Sequence, residues 1–128
     1  MKVQLKVSKN AIVEGSGETL LDVYKEVCAL SEVFGESECG KCGGTDLKYQ
    51  IRNAKDDSGE EYEYPEIVCN DRDCRARLAL GLSKTNGQLY PKRYEMDGKK
   101  YILDDNGKKK VKGSWGWTIF NRETKVEE

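Results

Sequence analysis

Two pairs of cysteines constrain this chain more than any other feature of its sequence. Cys39 and Cys42 enclose two residues, Cys69 and Cys74 enclose four, and 26 residues separate the two pairs. Two short loops that each supply two thiolates are what a tetrahedral four-cysteine metal site requires. The spacing therefore predicts that all four cysteines bind one structural Zn²⁺.

The residues around the first pair fit a metal-binding loop. Gly40, Gly43 and Gly44 allow the positive φ angles with which such loops turn their amides toward the sulfurs. The chain has no histidine, so no imidazole can serve as a ligand. An iron centre with the same four thiolates, as in an electron carrier, stays open as an alternative. A dithiol redox site is disfavoured, because Gly43 and Gly44 oppose the helix that should follow its C-x2-C motif.

The composition indicates a small chain with a modest core. Its 128 residues favour one domain, and hydrophobic and charged residues make up 37% and 35% of them. A metal cross-link would supplement so small a core. No apolar run is long enough to span a membrane, and the N-terminus lacks the apolar block of a signal peptide. We therefore expect a cytoplasmic protein, in a compartment where cysteines stay reduced and bind metal.

One helix is predicted near the N-terminus, over Leu20–Phe34. Thr19 is its expected N-cap, Asp22 completes a capping box, and Gly35 ends the helix. The predicted apolar face also carries the fifth cysteine, Cys28, which we therefore expect to be a buried core thiol. The other members of that face are Leu20, Leu21, Tyr24, Val27, Ser31 and Phe34.

Strand patterns dominate the rest of the chain. The predicted strands cover residues 2–7, 11–13, 47–52, 61–68, 75–82, 99–103 and 114–120. The segment 75–82 also has a helix-friendly composition, but a strand there would complete a three-stranded ribbon sheet. Trp115 and Trp117 would share one face of the last strand, because side chains alternate along a strand.

We therefore predict an α+β fold. One N-terminal helix would pack on an antiparallel β zinc ribbon, and the later strands could extend that ribbon into a small barrel-like sheet. Residues 1–38 would supply the N-terminal strands and helix, residues 39–120 the zinc-ribbon β domain, and residues 121–128 a frayed, charged tail. Together they would form a single compact domain.

Charge is distributed unevenly along the chain. Residues 1–68 carry a net charge of −6, residues 69–112 carry +6 and residues 113–128 carry −1. The basic part begins at the second cysteine pair and contains aromatic residues among its lysines. This asymmetry indicates an anionic partner, although a solvated lysine-rich surface would look the same.

Cations beside aromatic rings are typical of proteins that bind single-stranded nucleic acid, because phosphates meet the cations and bases stack on the rings. The nucleic-acid-binding residues that we predict are Lys84, Tyr90, Lys92, Arg93, Lys108, Lys109, Lys110 and Trp117. Tyr94, Tyr101 and Trp115 lie near these lysines in the sequence as well.

The sequence offers no catalytic constellation. It has no histidine to act as a general base, no Walker loop, no dinucleotide fingerprint and no nucleophile elbow. The adjacent carboxylates Asp56-Asp57 and Asp104-Asp105 lie in turn-like segments. Four thiolates would also leave no open position on the metal for water. We therefore predict a protein that is not an enzyme and has no catalytic residues.

Residues 39–93 resemble small zinc-ribbon proteins through their cysteine pairs. The second cysteine loop, the segment Gly87–Arg93 and the Gly116-Trp117 dipeptide together resemble a group of small phage-encoded proteins found among replication and recombination functions. The resemblance implies an accessory protein in the host cytoplasm that binds single-stranded DNA, with replication or recombination proteins as further partners. The positions it points to are the four cysteines, Tyr90, Lys92, Arg93 and Trp117.

A protein-interaction adaptor is the alternative function. In that case the acidic N-terminal half and its helix would form the binding surface, and the zinc site would only hold the fold together. The sequence leaves DNA versus RNA and the oligomeric state open.

Overall fold

The computed structural model of the protein describes residues 1–121 and 123–128, and it confirms the predicted α+β class with one helix and antiparallel strands. Within the described residues, no helix has both the length and the apolar character needed to cross a bilayer. In chain order the elements are β1 (Lys2–Ser8), β2 (Ala11–Ser16), α1 (Leu20–Phe34), β3 (Leu47–Lys55), β4 (Glu61–Cys69), β5 (Arg77–Leu82), β6 (Leu89–Pro91), β7 (Met96–Asp97), β8 (Lys100–Tyr101), β9 (Trp117–Thr118), β10 (Phe120–Asn121) and β11 (Val126–Glu127).

The largest sheet has the order β3-β4-β5-β6, and β9 also pairs with β5. The ambiguous segment after the second cysteine pair is thus a strand, as predicted. The described strands form open sheets, so the expected barrel-like closure is wrong. The physical reason lies in the short later strands. From β7 onward each strand has only two residues, and β7 pairs with β8 and β10 with β11 instead of building a barrel wall.

The register of the main sheet separates an apolar face from a polar face. On the apolar face, Ile67 pairs with Leu78, which pairs in turn with Trp117. One residue along each strand, Val68 pairs with Arg77 and Arg77 with Thr118 on the other face. The core lies on the apolar face and consists of Val33, Cys39, Leu47, Ile67, Cys69, Ala76, Leu78, Leu80 and Trp117.

The helix begins and ends where the sequence predicts. The Thr19 side chain accepts a hydrogen bond from the Asp22 amide, and the Asp22 carboxylate accepts one from the Thr19 amide, which forms the predicted capping box. At the other end, the Gly35 amide donates to the Ser31 carbonyl. Both ends therefore follow from local sequence signals.

The buried face of α1 differs from the predicted one. Its buried residues are Val23 and Val33, and Cys28 is exposed, so the expectation of a buried core thiol is wrong. The β1–β2 hairpin determines which face of α1 is buried, because Gly15 of this hairpin packs against the helix. A Cβ added at Gly15 would lie only 2.7 Å from Val27 Cγ2. The predicted face members left exposed are Leu20, Leu21 and Tyr24.

Residues 114–117 form a tight turn rather than the predicted strand. Trp115 has a φ of 53° and Gly116 a φ of 94°, which are turn conformations. The Ser114 amide donates to the Trp117 carbonyl and the Trp117 amide to the Ser114 carbonyl. Because of this turn the two tryptophans do not share a face: Trp117 is 1% exposed and Trp115 is 51% exposed.

The C-terminal segment folds back instead of fraying. Phe120 pairs with Glu127 in the β10–β11 hairpin, and Arg122 between these strands lies outside the described residues. The Glu127 carboxylate contacts the Arg77 guanidinium and accepts a hydrogen bond from the Thr118 hydroxyl. This ion pair between distant parts of the chain holds the segment against the polar face of the main sheet.

The two tryptophans should differ sharply in their contribution to stability. Trp117→Ala should lower the free energy of unfolding by about 3–5 kcal/mol, the usual cost of emptying a large buried aromatic site. Trp115→Ala removes an exposed ring and should change it by less than about 1 kcal/mol. Urea unfolding of both variants checks this. Equal losses, or a larger loss for Trp115→Ala, would contradict the described packing.

Candidate metal centre and aromatic groove

The four paired cysteines converge as predicted. Their sulfurs all lie within 4.8 Å of one another, with Cys39 Sγ 3.7 Å from Cys74 Sγ and Cys42 Sγ 3.6 Å from Cys69 Sγ. A tetrahedral ion with bonds of about 2.3 Å to sulfur needs sulfur–sulfur separations of about 3.8 Å. The observed separations fit that requirement, so this cluster forms a possible metal site.

The first cysteine loop, Cys39–Gly44, directs amides at its own sulfurs. The Lys41 amide donates to Cys39 Sγ at 3.3 Å, and the Gly44 amide donates to Cys42 Sγ at 3.4 Å. Gly43 has a φ of 74°, the left-handed conformation that glycine adopts without strain. Such N–H···S hydrogen bonds stabilise the negative charge that a thiolate ligand carries.

The second cysteine loop, Cys69–Cys74, is wider but closes through its backbone. The Asp71 carbonyl accepts hydrogen bonds from the amides of Cys74, at 3.2 Å, and Arg75, at 3.0 Å. The Cys69 amide donates to the Ala76 carbonyl at 2.8 Å, which joins the two ends of the loop. The four intervening residues therefore form a compact turn. This turn places the sulfurs of Cys69 and Cys74 next to those of Cys39 and Cys42.

The protonation of the thiols must change when a metal binds. Burial raises the pKa of Cys69 to about 12 and also raises the pKa of Cys74. The Gly44 amide, as the largest influence, lowers the pKa of Cys42. At neutral pH the thiols of Cys69 and Cys74 are therefore protonated in the absence of metal. A metal ion must displace these protons, since thiolates are the binding form.

The first cysteine loop packs directly on the core tryptophan. A Cβ added at Gly40 would lie 2.4 Å from Trp117 Cδ1 and 2.8 Å from the Ser114 carbonyl oxygen. Only glycine fits at such a distance. The cluster of sulfurs, the core and the 114–117 turn are consequently in contact.

Beyond that turn lies a groove of about 1020 Å³ with aromatic walls, which we call the aromatic groove. The Tyr94 ring packs edge to face against two other rings. Its centroid lies 6.0 Å from the centroid of the Tyr101 ring and 5.6 Å from that of the Trp115 ring. Tyr90 also lines the groove, with its ring over Gly81. Tyr90, Tyr101 and Trp115 are exposed, so their rings can accept a planar ligand.

Cations accompany these rings. Lys92 and Lys112 line the aromatic groove. The Lys109 ammonium lies 4.0 Å from the centroid of the Tyr101 ring. Four acidic residues line the groove as well, namely Glu32, Glu95, Glu127 and Glu128. Two of them are neutralised by ion pairs, Glu95 with Lys110 and Glu127 with Arg77. The groove therefore offers both positive charges and flat apolar surfaces.

The structure brings together only part of the predicted nucleic-acid set. Tyr90 and Lys92 line the aromatic groove, and Lys109 covers its rings. Trp117 is buried beneath the first cysteine loop, so the expectation that it stacks on bases is wrong. Its neighbour Trp115 occupies the exposed position instead.

The other predicted cations are placed less favourably. Arg93 lines the aromatic groove too, but its guanidinium is held by the Glu36 carboxylate and donates to the Trp115 carbonyl, so its charge is already paired. Lys110 pairs with Glu95 at 3.4 Å. The last two, Lys84 and Lys108, lie in exposed turns and are not among the groove residues.

Sequence reasoning did not select Lys112 for this site. The residue continues the lysine run 108–110, which is the one signal that could have identified it. Trp115 was recognisable as an aromatic among lysines, but its exposure depends on the turn.

No family model, curated protein or solved structure matches this chain. The function is therefore inferred from the geometry of the cysteine cluster and of the aromatic groove.

Metal content should depend on the four clustered cysteines and not on the fifth. Cys39→Ser removes a buried ligand and should abolish stoichiometric metal binding, whereas Cys28→Ser, on the exposed side of α1, should keep about one ion per chain. Elemental analysis of both purified variants measures this. One metal ion per chain in the Cys39→Ser protein would contradict the assignment of Cys39 as a ligand.

Proposed function

We propose that this protein is a zinc-ribbon-type module that binds single-stranded DNA in replication or recombination of phage DNA. The observation that carries the proposal is the aromatic groove, which the exposed residues Tyr90, Tyr101 and Trp115 line together with Lys92 and Lys112. The resemblance of the cysteine and Pro-Lys-Arg segments to phage replication and recombination proteins supports the biological setting.

Zinc is the metal that we propose for the cysteine cluster. Four thiolates in tetrahedral arrangement form a closed structural site for Zn²⁺, which contributes directly to folding. Because four sulfurs would fill the coordination shell, we assign the ion a structural role and expect no catalysis at it. A colourless purified protein with bound zinc supports this assignment, and a red ferric form would favour the iron alternative.

Single strands suit the groove better than a duplex does. In a single strand each base has a free face, and stacking on an aromatic side chain contributes about 1–3 kcal/mol per base. Bases in a duplex are already stacked on each other and cannot reach Tyr101 or Trp115. Lys92, Lys109 and Lys112 would meet the phosphates, and the bases would pack against the rings between them.

The adaptor function has one observation in its favour. Leu20, Leu21 and Tyr24 lie exposed on α1, where 61–67% of each residue is accessible. A protein partner could cover these side chains. The alternative predicts that Leu21→Ser or Tyr24→Ser affects partner capture but leaves oligonucleotide binding unchanged.

Two kinds of groove substitution should weaken oligonucleotide binding in different ways. Lys92→Ala combined with Lys112→Ala should weaken binding and flatten the plot of log affinity against log salt, by about 0.7 for each lost phosphate contact. Trp115→Ala should cost about 1–3 kcal/mol of binding with little change of slope, because a lost stack releases no counterion. Fluorescence anisotropy with a labelled oligothymidine at several salt concentrations measures both effects.

Matched controls make the result specific. Trp115→Phe keeps an aromatic ring and should retain most of the affinity, and Lys25→Ala removes a charge from the exposed side of α1 and should leave the slope unchanged. If the wild type binds neither single- nor double-stranded oligonucleotides at low salt, the proposed function is wrong and the adaptor function takes its place.

A further inference from the structure

A second cavity lies beside the second cysteine loop, outside the aromatic groove and with Cys69 of the cysteine cluster in its lining. It has a volume of about 600 Å³. We call it the loop pocket. Its lining includes three cations and two side-chain amides, namely Lys48, Arg72, Arg75, Gln50 and Asn70. The Gln50 and Asn70 amides already donate to the Glu66 and Asp46 carboxylates. The three cations are therefore the groups that suit the pocket to an anion with several acceptor oxygens.

The cations of the loop pocket are not engaged elsewhere in the described part of the chain. Arg52, Arg77 and Arg93 each have a carboxylate within 4.0 Å, whereas neither Arg72 nor Arg75 has one among the described residues. Lys48 likewise forms none of the ion pairs that the structure describes.

One carboxylate, that of Asp71, also lines the pocket, but it is turned onto its own loop. Its Oδ1 accepts a hydrogen bond from the Asp73 amide at 2.9 Å. The pocket therefore keeps an excess of positive charge, and guanidinium groups free of internal carboxylates can bind an anion through two parallel hydrogen bonds.

The backbone at Arg75 provides a second, independent observation. This residue has a φ of 53°, in the left-handed region that glycine and asparagine adopt far more readily than arginine. The loop closure needs only the backbone of this residue, whose amide donates to the Asp71 carbonyl. An arginine at a position that favours glycine indicates a use for its side chain.

The loop pocket opens on the polar face of the main sheet. Lys48 pairs with Val68, which pairs with Arg77, so Lys48 and Arg77 lie on the same face. At the other side of the sheet Tyr90 pairs with Gly81, four residues along β5 from Arg77, and therefore points to that face as well. Tyr90 and the pocket thus lie on the same face of the sheet, one on each side of the contact between Arg77 and Glu127 of the C-terminal segment.

From these observations we propose that the loop pocket binds a phosphate of the same nucleic-acid strand that occupies the aromatic groove. The inference rests on the proposed function and extends it. Arg72, Arg75 and Lys48 hold a backbone phosphate at one end of the surface, while the groove holds bases at the other. The strand then passes the C-terminal segment that Glu127 holds against Arg77 between the two sites, so a longer oligonucleotide gains contacts that a short one lacks.

The test uses variants that leave the cysteine ligands untouched. Arg75→Gly removes the guanidinium and relieves the left-handed backbone, so the fold should be retained. Arg72→Ala removes the second guanidinium from an exposed position of the loop. Lys55→Ala is the matched control, since Lys55 lies on the same hairpin but pairs with Glu61 at 3.4 Å.

Each variant is titrated with oligothymidines of about 5 and 15 nucleotides, within the range of site sizes of single-strand binders. With the longer strand, Arg72→Ala and Arg75→Gly should each lower the affinity and reduce the salt slope by about 0.7, and the double variant by about twice that. With the shorter strand the loss should be smaller. Lys55→Ala should match the wild type for both lengths.

The outcomes separate this inference from the proposed function. If Trp115→Ala weakens oligonucleotide binding but the Arg72 and Arg75 variants bind like the wild type, the assignment of the loop pocket is wrong and the proposed function stands. Absence of any wild-type binding would remove both. Reduced zinc retention in a chelator competition, with oligonucleotide affinity unchanged, would show that the arginines only offset thiolate charge and would overturn the inference. Chemical-shift changes at the loop with inorganic phosphate but none with an oligonucleotide would overturn it too.

Discussion

The convergence of four sulfurs at one end of the main sheet is the interaction on which the rest of the structure depends. Cys39 and Cys69 belong to the hydrophobic core, so the possible metal site is continuous with the packing of the sheet. Burial raises the pKa of Cys69, so this thiol carries a proton when no metal is bound. A bound ion would convert two loops that meet by contact into one cross-linked unit.

This cross-link reaches the surface through the core tryptophan. Gly40 in the first cysteine loop packs on Trp117, and Trp117 ends the turn that exposes Trp115. Gly116 in that turn packs against the backbone of Lys92, since a Cβ added at Gly116 would lie 2.9 Å from the Lys92 carbonyl oxygen. The aromatic groove is therefore built on backbone that the cysteine cluster supports, and loss of the metal should disturb both.

Local signals made the helix and the cysteine cluster predictable. The Thr19–Asp22 capping box fixed the start of α1, and the cysteine spacing alone predicted which four sulfurs converge on a possible metal site. Long-range packing decided what the sequence could not show. The buried face of the helix depends on Gly15 of the β1–β2 hairpin, which left Cys28 exposed against expectation. Whether Trp117 is buried depends on the positive φ of Trp115, which the alternation of side chains along a predicted strand cannot reveal.

Amide hydrogen exchange of the same preparation, with zinc and after chelation, tests the central claim most directly. We expect zinc to protect the amides of Cys69 and Trp117, and this protection should fall in the chelated protein together with that of the 114–117 turn. The chelated protein should also lose its affinity for oligothymidine. Unchanged protection at Trp117 and in the turn after complete removal of the metal would contradict the link between the cysteine cluster and the aromatic groove.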